Sequence, residues 1–128
     1  MSDGRLRLGV LFRPPRFPVI VFGPTGVGAA RSLAGLAKVL ATFPPSRPGV
    51  DIKIVDATAE EFWFDGEHGV LSPGFAMRRW TKKQIIDAYN GCPEGRLFPC
   101  RTTSLSSRKV GDVVTEICEL ISHAGRSR

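Results

Sequence analysis

Sulfur, histidine and long apolar runs are all scarce in this chain. Three cysteines (Cys92, Cys100 and Cys118) occur in 128 residues. They are unevenly spaced, cannot all pair within one chain, and so give no disulfide framework; reducing, intracellular conditions are expected. The longest uninterrupted apolar run, Val19-Ile20-Val21-Phe22, holds four residues, against roughly 20 for a membrane span. Membrane insertion is therefore not expected. The start, Met1-Ser2-Asp3-Gly4-Arg5, lacks the apolar stretch of a secretory signal. Two histidines, His68 and His123, lie far apart and make no ligand set, so no metal is expected. No serine stands in a nucleophile-elbow pattern, and no catalytic constellation emerges.

What is abundant is positive charge and turn-forming residues. Eighteen Lys+Arg against 12 Asp+Glu leave a formal charge of +6, and 14 glycines with 10 prolines cluster near Pro14-Pro15, Gly23-Pro24 and Pro44-Pro45. With 42% apolar and 23% charged residues, the chain can bury a core and lacks the composition of a disordered protein.

Residues 1–17 read as a basic arm interrupted by proline, because Pro14, Pro15 and Pro18 each remove a backbone donor. The run at Val19 reads as a strand buried on both faces, closed by Gly23-Pro24. From Gly28 onward, Leu33, Leu36, Ala37, Leu40 and Ala41 recur at helical steps up to Pro44-Pro45. Val50, Ile52 and Ile54 then alternate into a second strand ending near Asp56. This strand, helix and strand predict one βαβ unit with parallel strands and a right-handed crossover. The segment from Glu60 to Pro73 reads as a short helix followed by a loop. Thr81-Lys82-Lys83-Gln84 matches a capping box, with Trp80 and Ile85 placed as a hydrophobic staple, and Asn90-Gly91 supplies a left-handed stop. Arg96 to Cys100 reads as an edge strand. Val110, Val113, Val114, Ile117 and Ile121 form the stripe of a C-terminal helix, with Ser107 as candidate N-cap and Gly125 beyond its end.

Gly23-Pro24-Thr25-Gly26-Val27-Gly28-Ala29-Ala30 has the G-x-x-x-x-G spacing of a phosphate-binding loop, but Ala29 and Ala30 occupy the places of the lysine and the Ser/Thr. Gly26, Val27 and Gly28 remain a candidate anion-binding turn at a helix start. Nucleotide or phosphate binding by this degenerate loop is one alternative function. The positive charge marks a second candidate surface: Arg13 and Arg16 in the arm, Arg78, Arg79, Lys82 and Lys83 flanking Trp80, and Arg108 with Lys109. Such clusters contact phosphates by counterion release, and an aromatic among them can stack on an unpaired base. For Trp80 the staple is the preferred reading over that role. Cys118 reads as a small core residue, whereas Cys92 and Cys100 leave a disulfide, metal binding or thiol redox chemistry open.

Val21-Phe22, the Pro/Gly loop and Val27-Gly28-Ala29-Ala30-Arg31 resemble the thioredoxin family, with Val27 and Ala30 standing where that family has its two cysteines. Pro73, 46 residues after Val27, falls near the family's cis-proline. The resemblance implies a single α/β domain over residues 18–125, with a thioredoxin-like mixed sheet flanked by helices, a basic arm before it and a basic tail at 126–128. It also implies that redox chemistry is lost, since both sulfur positions are empty. Thioredoxin-like mitochondrial ribosomal proteins and the related accessory subunit of respiratory complex I are similar in this way. The implied function is a non-catalytic structural component of a large mitochondrial assembly, without cofactor. Its partners would be protein subunits and, in the favoured ribosomal version, rRNA.

Overall fold

The computed structural model describes residues 8–43, 52–74, 79–101 and 107–126. Within them six strands form one mixed sheet: β1 (Gly9–Val10), β2 (Val19–Phe22), β3 (Val27–Ala30), β4 (Lys53–Val55), β5 (Glu61–Asp65) and β6 (Val70–Pro73). The helices are α1 (Leu33–Leu40), α2 (Lys82–Gly91), α3 (Pro93–Leu97) and α4 (Val110–Arg126). The strand order is β1-β6-β5-β4-β2-β3, and every neighbouring pair is antiparallel except β1 with β6.

The continuous apolar run of β2 is buried on both sides, as its sequence demands. Val19 and Val21 face one core with Leu36 and Leu40 of α1, while Ile20 faces the other with α2 and α4. On the α1 face the sheet adds Ile54, Phe62, Phe64 and Leu71; on the opposite face Ile85, Tyr89, Val113, Val114 and Ile117 close the layer. The stripe read from the last helix is the buried one at Val113, Val114 and Ile117.

Several expectations are overturned. Residues 27–30 do not open a helix but return along β2 as β3, with Val19 opposite Ala30 and Phe22 opposite Val27. Helix α1 starts only after Ser32, whose hydroxyl accepts the Gly35 N–H. β2 and β4 therefore run antiparallel, and the βαβ crossover that carried the thioredoxin resemblance is not formed. The cis peptide bond among the described residues is Phe17–Pro18, while Pro73 closes β6. The Glu60 to Pro73 segment is a β-hairpin rather than a helix and loop, because Phe62 and Phe64 alternate into the core. Arg96 and Leu97 belong to α3, not to an edge strand.

Thr81 does cap α2 through a complete capping box. That helix continues through Gly91 and ends at Cys92 in extended backbone, without a left-handed stop. The Lys109 carbonyl accepts the first N–H groups of α4, so its start lies past Ser107, and Gly125 lies inside the helix. Val50 and the Pro44-Pro45 turn fall outside the described residues, as do residues 1–7 and Arg78. No described helix is long and apolar enough to cross a membrane.

Candidate phosphate-binding cleft

The arm is fixed to the sheet by the turn between β4 and β5. Asp56, 1% exposed, uses one oxygen to accept the Thr58 N–H, the Thr58 hydroxyl and the Glu60 N–H, and the other to accept the Arg16 N–H at 3.0 Å. A buried carboxylate with this many donors is a structural anchor, since its charge is satisfied by the backbone it organises. The Ala57 N–H in turn donates to the Arg16 carbonyl. Glu60 takes both terminal nitrogens of Arg13, whose guanidinium lies over the Phe62 ring, 5.7 Å from its centroid. The Glu60 bond raises the Arg13 pKa further above its ordinary value and keeps it charged.

These anchors shape a cleft of about 580 Å³. Arg13 to Arg16 of the arm line it together with Asp56, Thr58, Glu60 and Arg79. Arg79 reaches it because its strand-like backbone bridges Glu60 and its guanidinium donates to the Thr58 carbonyl. Both acids are consumed by internal hydrogen bonds. The Arg16 guanidinium is exposed and makes no ion pair among the described residues. The cleft therefore offers guanidinium donors and no free carboxylate, a chemistry that suits phosphate or carboxylate oxygens.

The other basic candidates lie elsewhere. Lys82 donates to the Arg108 carbonyl at 2.7 Å, joining the start of α2 to the approach to α4, and Lys109 is exposed beside it. Arg108 pairs with Glu116 and lines a groove with Asp112 and Glu119, so its charge is locally compensated. Lys83 pairs with Asp87 one helical turn on. Arg13, Arg16 and Arg79 are thus brought together, while Lys82, Lys83, Arg108 and Lys109 are not part of that cleft.

At the glycine-rich turn, the Gly23 N–H donates to the Gly26 carbonyl, and Val27 and Gly28 are paired in the β2–β3 ladder. The Glu94 carboxylate packs against Gly26, where a Cβ would lie 3.1 Å from one of its oxygens. The turn joins two strands instead of opening a helix, and an acid covers it, so the helix-start geometry expected for Gly26, Val27 and Gly28 is corrected.

Trp80 stacks on Phe22 with centroids 5.3 Å apart and planes 4° from parallel, and its indole N–H donates to Glu61. It packs against the core cluster that holds Ile85, and one of its faces is already covered. Sequence reasoning missed another aromatic. Phe12 is 85% exposed and adjoins Arg13 in the arm, a position legible only as an aromatic set among arginines.

None of the three cysteines is in a disulfide. Cys118 donates to the Val19 carbonyl, and burial pushes its pKa up to about 12. Burial also raises that of Cys92, which donates to the Ala88 carbonyl. Cys100 donates to Glu116 at 2.9 Å. Asp65, Glu67 and His68 meet on the exposed β5–β6 turn, where His68 Nδ1 and the Asp65 carboxylate are 2.8 Å apart. Comparison with family models, with curated proteins and with solved structures finds no match for this chain.

Proposed function

We propose that this protein is a non-catalytic structural component of a ribonucleoprotein assembly, of the mitochondrial ribosomal kind, and that it holds RNA phosphates in the Arg13–Arg79 cleft. The observation that carries this reading is the anchoring of a basic arm by Asp56 and Glu60 so that Arg16 and Arg79 line one opening. A cation held in place before binding loses less freedom when it meets its phosphate. The raised pKa values of Cys92 and Cys118 support a role without thiol chemistry, because exchange needs a thiolate. The RNA-phosphate part of the reading does not rest on a thioredoxin-like order of elements, since the cleft is built from the arm and the β4–β5 turn; the mitochondrial ribosomal part is carried only by the resemblance drawn from the sequence.

The test is fluorescence anisotropy of labelled RNA across a salt series. Removing one cation from a phosphate lowers the slope of log affinity on log salt by about 0.7 for a single strand. Arg16→Gln with Arg79→Gln is expected to flatten that slope by about 1.4 on the same basis. An unchanged slope, or no salt-dependent binding by the native chain, overturns the proposal.

A further inference from the structure

The arm carries a local conformation that its sequence does not favour. Phe12 has φ of 69°, and the Arg13 N–H donates across it to the Leu11 carbonyl at 2.8 Å. This is a γ-turn of the positive-φ form, rare and strained, and a bulky residue is an uncommon occupant. The turn is clamped from both sides. Before it, the Leu11 N–H donates to the Leu71 carbonyl; after it, Arg13 is tied to Glu60 and Phe62. The clamp leaves the aromatic it displays largely bare, with Phe12 85% exposed. Positive φ at an aromatic held out into solvent is the kind of outlier that points to use.

We infer that Phe12 is a stacking platform for an unpaired base, with the phosphates of the same strand held by Arg16 and Arg79, so that the ligand is single-stranded RNA. This rests on the proposed RNA reading of the cleft and goes beyond it by naming the strand state and the aromatic that reads it. Charge decides for RNA over an apolar protein groove. Phe12 is followed at once by Arg13, and Arg16 stands four positions on, so the Phe12 and Arg16 Cα atoms are at most about 14 Å apart. One short strand can meet both. An aromatic face beside guanidinium donors is the usual makeup of a single-strand site, because every base has a π-face while only the backbone carries charge. Trp80, the aromatic that the sequence sets among the basic residues, is stacked on Phe22 and bonded to Glu61. Among the described residues, Phe12 is the large aromatic left exposed next to an arginine of the cleft.

The experiment uses the full chain with a labelled single-stranded RNA of mixed sequence and with the same RNA fully paired. The single strand is expected to bind more tightly than the duplex. Phe12→Ala should weaken single-strand binding by about 5- to 150-fold, the effect of losing one base stack, and leave duplex binding unchanged. Phe12→Trp should restore affinity and report it by quenching of the new indole. Phe12→Gly relaxes the positive φ, so its melting temperature should equal or exceed the native one while affinity falls; a residue with only a structural role would not separate the two. If RNA binds with the expected salt slope but Phe12→Ala binds the single strand as well as native protein, the stacking role is overturned and the cleft reading stands. If Phe12→Ala instead abolishes only association with a protein chain, stacking is likewise overturned. Absence of any salt-dependent RNA binding overturns both.

Discussion

Glu61 offers the sharpest test of how this fold is held together. Its side chain is buried, and its two oxygens accept one indole N–H each, from Trp80 at 2.9 Å and from Trp63 at 2.6 Å. These are the chain's two tryptophans. Glu61→Gln keeps the shape but replaces one acceptor with an NH2 group that must face an indole donor. One charge-assisted bond becomes a neutral one, and one half-buried N–H loses its acceptor, each costing on the order of 1 to 3 kcal/mol. Relief from burying a charge opposes this, so a net loss of about 2 kcal/mol is expected on that balance of hydrogen-bond and desolvation costs. For a chain of this size that is a fall of roughly 6 °C in Tm, or about 1.3 M in the urea midpoint at an ordinary m value. Urea unfolding followed by tryptophan emission reads it directly. A double-mutant cycle with Trp80→Phe should show coupling of about 1 kcal/mol, because the two changes remove the same bond. A Glu61→Gln midpoint within about 0.3 M of native, the shift of roughly 0.5 kcal/mol, or strict additivity in the cycle, would refute the claim that the carboxylate organises both indoles.

Other expectations follow from single contacts. Gly28→Ala would place a Cβ 2.6 Å from a methyl of Val39 in α1; Val39 has little rotamer freedom in a helix, so α1 must move, at a cost of about 1 to 3 kcal/mol measurable by chemical denaturation. Cys118 should resist alkylation at pH 8 in the folded protein and react only on unfolding, since burial holds its pKa near 12. On the β5–β6 turn the hydrogen bond between Asp65 and His68 raises the His68 pKa and lowers that of Asp65. The pair therefore stabilises the turn most above the ordinary carboxylate range and below the ordinary imidazole value. That contribution is lost as pH rises through the raised His68 pKa or falls through the lowered Asp65 pKa. An NMR titration should place the His68 midpoint above its ordinary value, and Asp65→Asn should bring it back down.

Local signals were legible and non-local ones were not. The Thr81 capping box involves neighbours three residues apart, and the α4 stripe repeats within one element, so both stand in the sequence as they do in the structure. β3 was hidden because Val27-Gly28-Ala29-Ala30 carries residues that suit a helix as well as a strand, and its pairing is fixed by β2 and by the close fit of Gly28 against Val39. β5 was hidden for a different reason. Glu60 and Glu61 look like surface residues until Arg13 and Trp80, distant in sequence, join Trp63 of the same strand in burying them as paired acceptors. Of the candidate site, arginine content could be counted in the sequence. The meeting of Arg16 and Arg79 depends on the Asp56 turn, and no spacing rule encodes it.

The first strand meets the sheet along one side only, at its margin, by parallel pairing of Gly9 with Val70 and Val10 with Leu71. A margin strand closed by contacts so distant in sequence is the natural first unit to undock in a partial opening. Such an opening frees the stretch up to Phe12, while Arg13 and Arg16 stay tied to Glu60 and the Asp56 turn. A ligand that bridges Phe12 and the cleft then also protects the Leu11 amide from hydrogen exchange and holds the edge of the sheet closed.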